Sequence, residues 1–334
     1  MRAIGDLASY MLSSRFQTQL RNSADAAAQA ATTGLAPDKA RHLGGSTLAV
    51  SLIDRKSELL EQHQRGVAEA ALLAGATQSA FGHIQDQASE LSGDLALTPQ
   101  LQNRSELKAV SDKAAEVFID TVNALNSEVA GRRLFSGTAT QTRPLPDGQT
   151  MLNMLRSDVA GGVTASDVRT ALDTWFNSAG AGFETMAYQG SDTGFISLPL
   201  SSDETATFGV RADSDTMRHH LEALAQAALA SDPSIALGIP DQKDLLSQSR
   251  AALLQSDNIL TEERSSLGLT EASIERARTG TEAELSRLAS DRVSLVGIDR
   301  YEAASDFEAA QQQLEIFYRV AARQSRTSLA EYLR

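Results

Sequence analysis

The sequence predicts a mainly α-helical fold: a long antiparallel helical bundle, or coiled-coil rod, from both chain ends, with a small inserted α/β-mixed (β-containing) outer domain. Three observations lead there. Two seven-residue apolar ladders lie far apart in the chain, the composition is rich in alanine with only 5% aromatics, and the sequence changes character between the ladders. Alanine-rich, aromatic-poor chains suit helix–helix seams better than a thick globular core.

The first ladder steps by sevens through Ile53, Leu60, Val67, Ala74, Phe81, Ala88 and Leu95. Three residues after each come Lys56, His63, Ala70, Thr77, Ile84 and Leu91, turning from polar to apolar. A straight helix of 3.6 residues per turn would not hold this set on one side, so the spacing predicts a supercoiled seam. At 1.5 Å per residue the segment is a rod of roughly 65 Å.

The second ladder is Leu246, Leu253, Leu260, Leu267, Ile274, Thr281, Leu288 and Leu295, with Thr281 its polar member. It spans roughly 75 Å as helix. Two rods of similar length, separated by other sequence, predict antiparallel partners. A third helix, 105–129, carries Leu107, Val110, Ala114, Val117, Thr121 and Leu125 on one face. Thr98-Pro99 before it reads as an N-cap followed by a first-turn proline.

After Gly137 the language changes. Residues 138–151 contain two prolines and an Asp-Gly pair and read as loop or hairpin. "SDVRTALDTWFNSAG" reads as a short helix anchored by Trp175 and Phe176. "ETMAYQG", "GFISLPL" and "ETATFGV" read as three short strands, Pro199 marking an edge. "DSDTMRHHLEALAQAALA" is a helix broken by "SDPS". The predicted organisation is therefore 47–136 plus 233–295 as the helical rod, 137–232 as the inserted outer domain, and 1–46 plus 296–334 as terminal helices. The terminal stripes are Leu12, Phe16 and Leu20 at one end. At the other are Phe307, Ala310, Leu314, Phe317 and Ala321, with Tyr318, Leu329, Tyr332 and Leu333 adding apolar area. No core for them is evident within the molecule. Isolated helix is marginal in water, so each stripe calls for a partner and is expected to be disordered in the monomer.

The stretch "GRRLFSG" at the end of the third helix holds Gly131, Leu134, Phe135 and Gly137. It reads either as a domain junction, Leu134 and Phe135 packing on the bundle, or as an ordinary helix end.

Chemistry is hard to find. The net charge of −13 argues against nucleic acid, which requires clustered Lys and Arg. With no cysteine there is no disulfide, thiolate nucleophile or Cys-ligated metal. His42, His63, His83, His219 and His220 lack metal-binding spacing. "LGGSTLA" lacks the second glycine of a nucleophile elbow. Asp213 and Asp215 open no calcium loop, since its glycine and final glutamate are missing. Catalytic, cofactor and metal residues are all expected to be none. No window supplies the ~18 apolar residues of a membrane span, and the first twenty residues do not read as a cleaved secretory signal.

Four stretches carry a resemblance to flagellins and their hook-associated relatives, most of all the hook-associated protein 3 group at the hook–filament junction. "TTGLAPD" (32–38) looks like the Thr-Gly turn after the first helix. "GRRLFSGTATQTRPL" (131–145) is similar to that group's exit from the third helix. "YQGSDTGFISLPLSSDETATFGVRADS" (188–214) resembles its outer-domain strands, and "QQLEIFYRVAARQSRTSLAEYL" (312–333) its C-terminal helix. "LAPDKARHLGG" departs from the usual basic, Asn-rich segment with paired aspartates, as "MRAIGDL" does from the common opening. The resemblance implies an extracellular, non-enzymatic adaptor of the bacterial flagellum, exported by the type III route without signal cleavage. It implies as partners copies of itself, the other junction protein, flagellin and an export chaperone, with no membrane or nucleic acid. A filament-forming flagellin and a cytoplasmic coiled-coil scaffold remain as alternatives.

Overall fold

The computed structural model describes residues 2–193 and 195–332, with side chains from Tyr10 to Arg323. It is mainly helical, and it divides into two compact units, Met1–Glu61 with Glu282–Arg334, and Gln62–Thr281. Helices α3 (Leu48–Leu95) and α8 (Ile239–Val296) contribute residues to both.

In the Gln62–Thr281 unit, α3 and α8 run antiparallel. Gln85 Nε2 donates to Thr261 Oγ1 at 2.7 Å, and Arg250 Nε donates to the Ser92 carbonyl at 3.1 Å, so positions advance on one helix as they fall on the other. Val67, Ala74, Phe81, Ala88 and Leu95 are buried, as are Leu246, Leu253, Leu260, Leu267 and Ile274. Helix α4 (Arg104–Leu125) and helix α7 (Asp215–Leu229) pack on one another and join this core.

The α7–α8 interface is held by a polar ladder of the same seven-residue period. Glu263 accepts from Thr216 Oγ1 at 2.6 Å, Ser256 Oγ bonds His220 Nδ1 at 3.0 Å, and Ser249 Oγ donates to the Ala223 carbonyl at 2.6 Å. Each rung pairs one buried polar atom that would be costly to bury alone, while His220 Nε2 and Glu263 Oε2 stay buried without a partner. Burial drives the His220 imidazole pKa down to about 4 and pushes the Glu263 carboxyl up.

Four local readings of the sequence are corrected. Thr98-Pro99 opens a 3₁₀ turn, Thr98–Gln100, and α4 is capped instead by Asn103, whose side chain accepts from Glu106 N at 2.9 Å. Helix α4 stops at Leu125 with Asn126 as its C-cap, short of the predicted Val129. The Asp-Gly pair begins a helix rather than a hairpin: Asp147 caps α5 (Gly148–Val159) by accepting from Thr150 N at 2.9 Å. The first expected strand is a π-helical turn, Phe183–Ala187, because Phe183 is drawn into an aromatic cluster with Trp175 and Phe176, centroids 5.9 and 5.6 Å away. Those two rings sit on α6 (Ala165–Asn177), which opens with a Thr164–Asp167 capping box.

Two short antiparallel ribbons complete the unit. β1 (Glu128–Val129) pairs with β2 (Arg132–Arg133), and β3 (Ile196–Pro199) pairs with β4 (Thr205–Phe208) in the register Ile196↔Phe208 to Pro199↔Thr205. The β3 strand comes so close to α3 that a Cβ on Gly66 would lie 2.6 Å from the Pro199 carbonyl.

In the other unit, α1 (Arg2–Thr33) packs along α9 (Arg300–Tyr332). A single bridge ties the connections at one end: Ala36 N donates to Val296 O at 2.8 Å and Ile298 N to Gly34 O at 3.0 Å. Between α1 and α3 lies α2 (Lys39–His42), one turn capped by Asp38. The helices that carry the terminal stripes, which showed no internal partner in sequence, thus lie against each other.

Candidate assembly surface

The seam between α1 and α9 is made of small residues. Among the described residues of this unit the buried apolar side chains are Leu20, Ala24, Ala30, Ala36, Val50, Leu288, Val296, Ala303 and Ala310, five of the nine alanine and none aromatic. Alanine lets two helices approach closely but removes little apolar area from water. The larger groups stay outside. Tyr10, Met11, Leu12, Phe16, Leu48, Leu52, Leu59, Val293, Tyr301, Ile316, Tyr318 and Val320 are all exposed, Leu12 at 68% and Tyr301 at 85%.

Polar and aromatic contacts fix the pair where side-chain packing is thin. The Phe16 and Phe317 rings meet at 5.8 Å. Tyr318 Oη accepts from Gln17 Nε2 at 3.3 Å and from Arg21 Nη2 at 2.8 Å, and these bonds, led by Gln17, lower the phenol pKa. Also in this unit, Asp54 of α3 accepts from Arg292 of α8 at 2.8 Å, and Lys56 pairs with Glu284. Arg287 and Lys56 together hold the Glu284 carboxyl near a pKa of about 2.

The predicted assembly residues fall out as follows. Leu20 is buried, Phe307, Leu314 and Phe317 are half-buried, and Leu12, Phe16 and Tyr318 are exposed. Leu329 and Tyr332 side chains, and Leu333, lie outside the described residues. Of the ladder positions here, Leu288 is buried while Ile53, Leu60 and Leu295 are half-buried. Sequence reasoning missed Ile316, Val320, Leu48, Leu52 and Leu59. The last three share another face of α3 from Ile53 and Leu60, a second apolar stripe hidden beneath the stronger ladder.

The residues predicted to form a junction lie in the other unit, and they build a turn rather than a helix end. Ala130 (φ 51°) and Gly131 (φ 76°) are consecutive left-handed residues, the geometry of a type I′ hairpin turn between β1 and β2. Phe135, fully buried, stacks on Phe81 of α3 at 5.6 Å, and Leu134 is buried beside it. The backbone then runs past the segments that flank β3 and β4: Ala212 N donates to Phe135 O and Ser191 N to Ser136 O, both at 2.9 Å. At Gly137 (φ 62°) a Cβ would lie 2.7 Å from the Ser191 carbonyl, so only glycine lets the two segments touch there. The side chains of Arg132 and Glu69 pair at 2.9 Å and tie the hairpin to α3.

Among the described residues no group of His, Cys, Asp and Glu could hold a metal ion, and no helix is long and apolar enough to cross a membrane. The model of the bacterial flagellin C-terminal helical region matches residues 252–333. No curated relative matches the chain in sequence. Among solved structures, FlgL of Bacillus cereus is similar with a TM-score of 0.53 at 14% identity, over 73% of this chain and 100% of that one. A Vibrio parahaemolyticus protein assigned as a flagellar hook-associated protein reaches 0.43 at 11% identity, over 72% and 96%.

Residues 252–333 thus resemble the C-terminal helical region of bacterial flagellins. Over most of its length the fold is similar to that of FlgL.

Proposed function

We propose that the chain is the junction adaptor that joins the flagellar hook, through the other hook-associated protein, to the flagellin filament. The observation that carries this reading is the inverted packing of the α1/α9 unit, with alanines inside and Tyr10, Leu12, Phe16, Ile316 and Val320 outside. Such a surface is stabilised when neighbouring subunits cover it, at about 25 cal/mol for each Å² of apolar area. In this reading the terminal regions 1–46 and 296–334 order fully only in the assembly and form its inner tube. Residues 47–136 and 233–295 form the rod, with Ile53 to Leu95 and Leu246 to Leu295 as its seam. Residues 137–232 face outward, their angle fixed by Gly131, Leu134, Phe135 and Gly137. The protein acts outside the cell, as a structural component and not an enzyme, and reaches its place by flagellar export, escorted by a chaperone.

The likeness to FlgL favours an adaptor over a filament subunit, and the two differ in where the protein sits. Antibody labelling in electron microscopy should mark one point between hook and filament, and cells lacking the gene should carry hooks without filaments. Restoring a chain that lacks its last ~30 residues should give a folded protein that leaves hooks bare, because α9 supplies half of the terminal pair. Label along the whole filament would make it a flagellin, and attached filaments in the deletion strain would end the adaptor reading.

A further inference from the structure

The face of α4 that carries Arg104, Lys108 and Ser111 at three-four spacing lies against the loop between α7 and α8. Ser111 fixes the contact. Its Oγ donates to the Ala227 carbonyl in the last turn of α7 at 2.7 Å and accepts from Ser231 N at 3.2 Å. Ile235 and Leu237 are buried and anchor the loop, and Ile235 N donates to Asp232 O at 3.1 Å within it. Between this loop, α4 and the start of α8 lies a cleft of about 510 Å³.

The charges that line it do not cancel. Lys108 is neutralised by Asp112, whose carboxylate oxygens lie 2.5 and 2.7 Å from Nζ. Asp232 gives one oxygen to Arg156 at 2.6 Å and the other to Ser234. Nearby, Glu106 turns back to accept from Gln102 N, with Lys243 close enough to offset its charge, and Asp241 faces α6, accepting from Ala165 N at 3.0 Å. Arg104 alone among the lining charges has no counter-ion among the described residues. Two lining polar atoms also lack partners: Ser231 Oγ and Gln242 Oε1 are buried without a hydrogen bond, and Gln242 is only 4% exposed. Unpaired amides are costly in such a place. Rotation about its last bond turns either the oxygen or the NH2 of Gln242 toward the cleft.

We propose that this cleft binds a small hydroxylated carboxylic acid of the sugar-acid class. Arg104 takes the carboxylate through a charge-assisted fork. Ser231 Oγ and the Gln242 carboxamide, each able to donate and to accept, take hydroxyl groups. Pro233 and Ala236 offer an apolar rim to the C–H face of the ring. A few convergent polar groups on apolar walls, in a cleft of this volume, is the general form of a small-molecule site. A neutral sugar leaves Arg104 unmatched, and a simple anion leaves Ser231 and Gln242 unpaired. A zwitterionic amino acid would set its ammonium beside Arg104 and Lys108. Binding needs the free chain alone and stands apart from the adaptor role.

The test is isothermal titration calorimetry on the purified full chain at low salt, with D-glucuronate as the probe and D-glucose, acetate and sulfate as comparisons. D-glucuronate should bind with a Kd of about 1 mM or tighter, and the other three at least about tenfold more weakly. Arg104→Gln, an exposed change, should weaken D-glucuronate by about tenfold or more. Arg276→Gln, about 50 Å away along α8, should leave it unchanged. Gln242→Met should weaken binding about threefold or more yet keep or raise thermal stability, because it removes an unpaired buried amide. Alginate oligomers that bind more tightly than the monomer would place the acid within a polysaccharide, and equal affinity would make it a free acid; either supports the site. No binding of D-glucuronate at about 10 mM would overturn the proposal. So would sulfate or acetate binding as tightly, an Arg104→Gln chain that binds normally, or a Gln242→Met chain that loses stability and keeps its affinity.

Discussion

The two units of this protein solve the same problem, burying helical faces, in opposite ways. In Gln62–Thr281 the large side chains are inside: Phe81, Phe118, Phe135, Phe176 and Phe183 are fully buried, and hydrogen-bonded polar rungs join α7 to α8. In Met1–Glu61 with Glu282–Arg334 the interior is mostly alanine, and the large side chains face out. The first unit has a core of its own. The second has a seam of small residues beneath an exposed apolar surface, and in the proposed role that surface supplies the free energy of assembly. The contrast teaches that helical content alone does not measure self-sufficiency; the size of the buried residues does.

Substitutions can break that contrast, and the largest expected effect separates the units at once. Leu260→Asp places a charge in the closed core and should lower the stability of the chain by about 4 kcal/mol or more. Leu12→Asp, at an exposed tip, should change monomer stability by less than about 0.5 kcal/mol while removing assembly. Urea unfolding of both, beside an assembly assay, reads the pair. Equal loss of stability would erase the distinction.

A second expectation concerns pH. The unfolded His220 imidazole titrates near 6.5, whereas burial holds the folded one at about 4. Between these values the unfolded chain binds the extra proton, so stability falls as pH drops from about 6.5 toward 4, by roughly 3 kcal/mol at most. Glu222 and Glu263, whose carboxyls burial raises, act in the opposite sense from about pH 4.3 upward. Both carboxyls are common to the wild type and a His220 variant, so the difference between the two isolates the imidazole between about pH 6.5 and 4. There His220→Gln should flatten the slope of stability measured by denaturant titration, and an unchanged slope would assign it elsewhere.

Smaller effects sharpen the picture. Gly137→Ala should destabilise by about 2 kcal/mol, since it combines a left-handed backbone with a close approach to the Ser191 carbonyl. Arg292→Ala removes a half-exposed pair with Asp54 and should cost less than about 1 kcal/mol. Thermal unfolding ranks the two, and the reverse order would mean that the unit Met1–Glu61 with Glu282–Arg334 depends on surface ion pairs.

Much of this was legible in the sequence because a seven-residue apolar period sustained over many turns hardly arises except along a supercoiled helix seam. The long α3 and α8 helices follow from it. The exceptions have local causes. Asp-Gly is a common hairpin pair, yet Asp147 used its carboxylate to cap a helix. Ala130-Gly131 is an unusual pair for a type I′ turn, so the hairpin beside Phe135 left little signal. Phe183 went to a π-helical turn because Trp175 and Phe176 offered it a buried face, a choice made by distant residues. The alanines of α1 and α9 read in sequence as filler. Only the fold brings Ala26, Ala27 and Ala30 opposite Ala303, Ala309 and Ala310, where they form a groove. Leu48, Leu52 and Leu59 were masked by the stronger ladder on the same helix.

Amide hydrogen exchange on the full chain, free and after assembly, tests the central claim most directly. The buried-core helices α4 and α7 should exchange slowly in both states, while α1 and α9 should exchange fast in the free protein and slow strongly on assembly. If α1 and α9 are as protected in the monomer as α4 and α7, the terminal pair is complete by itself and the account fails.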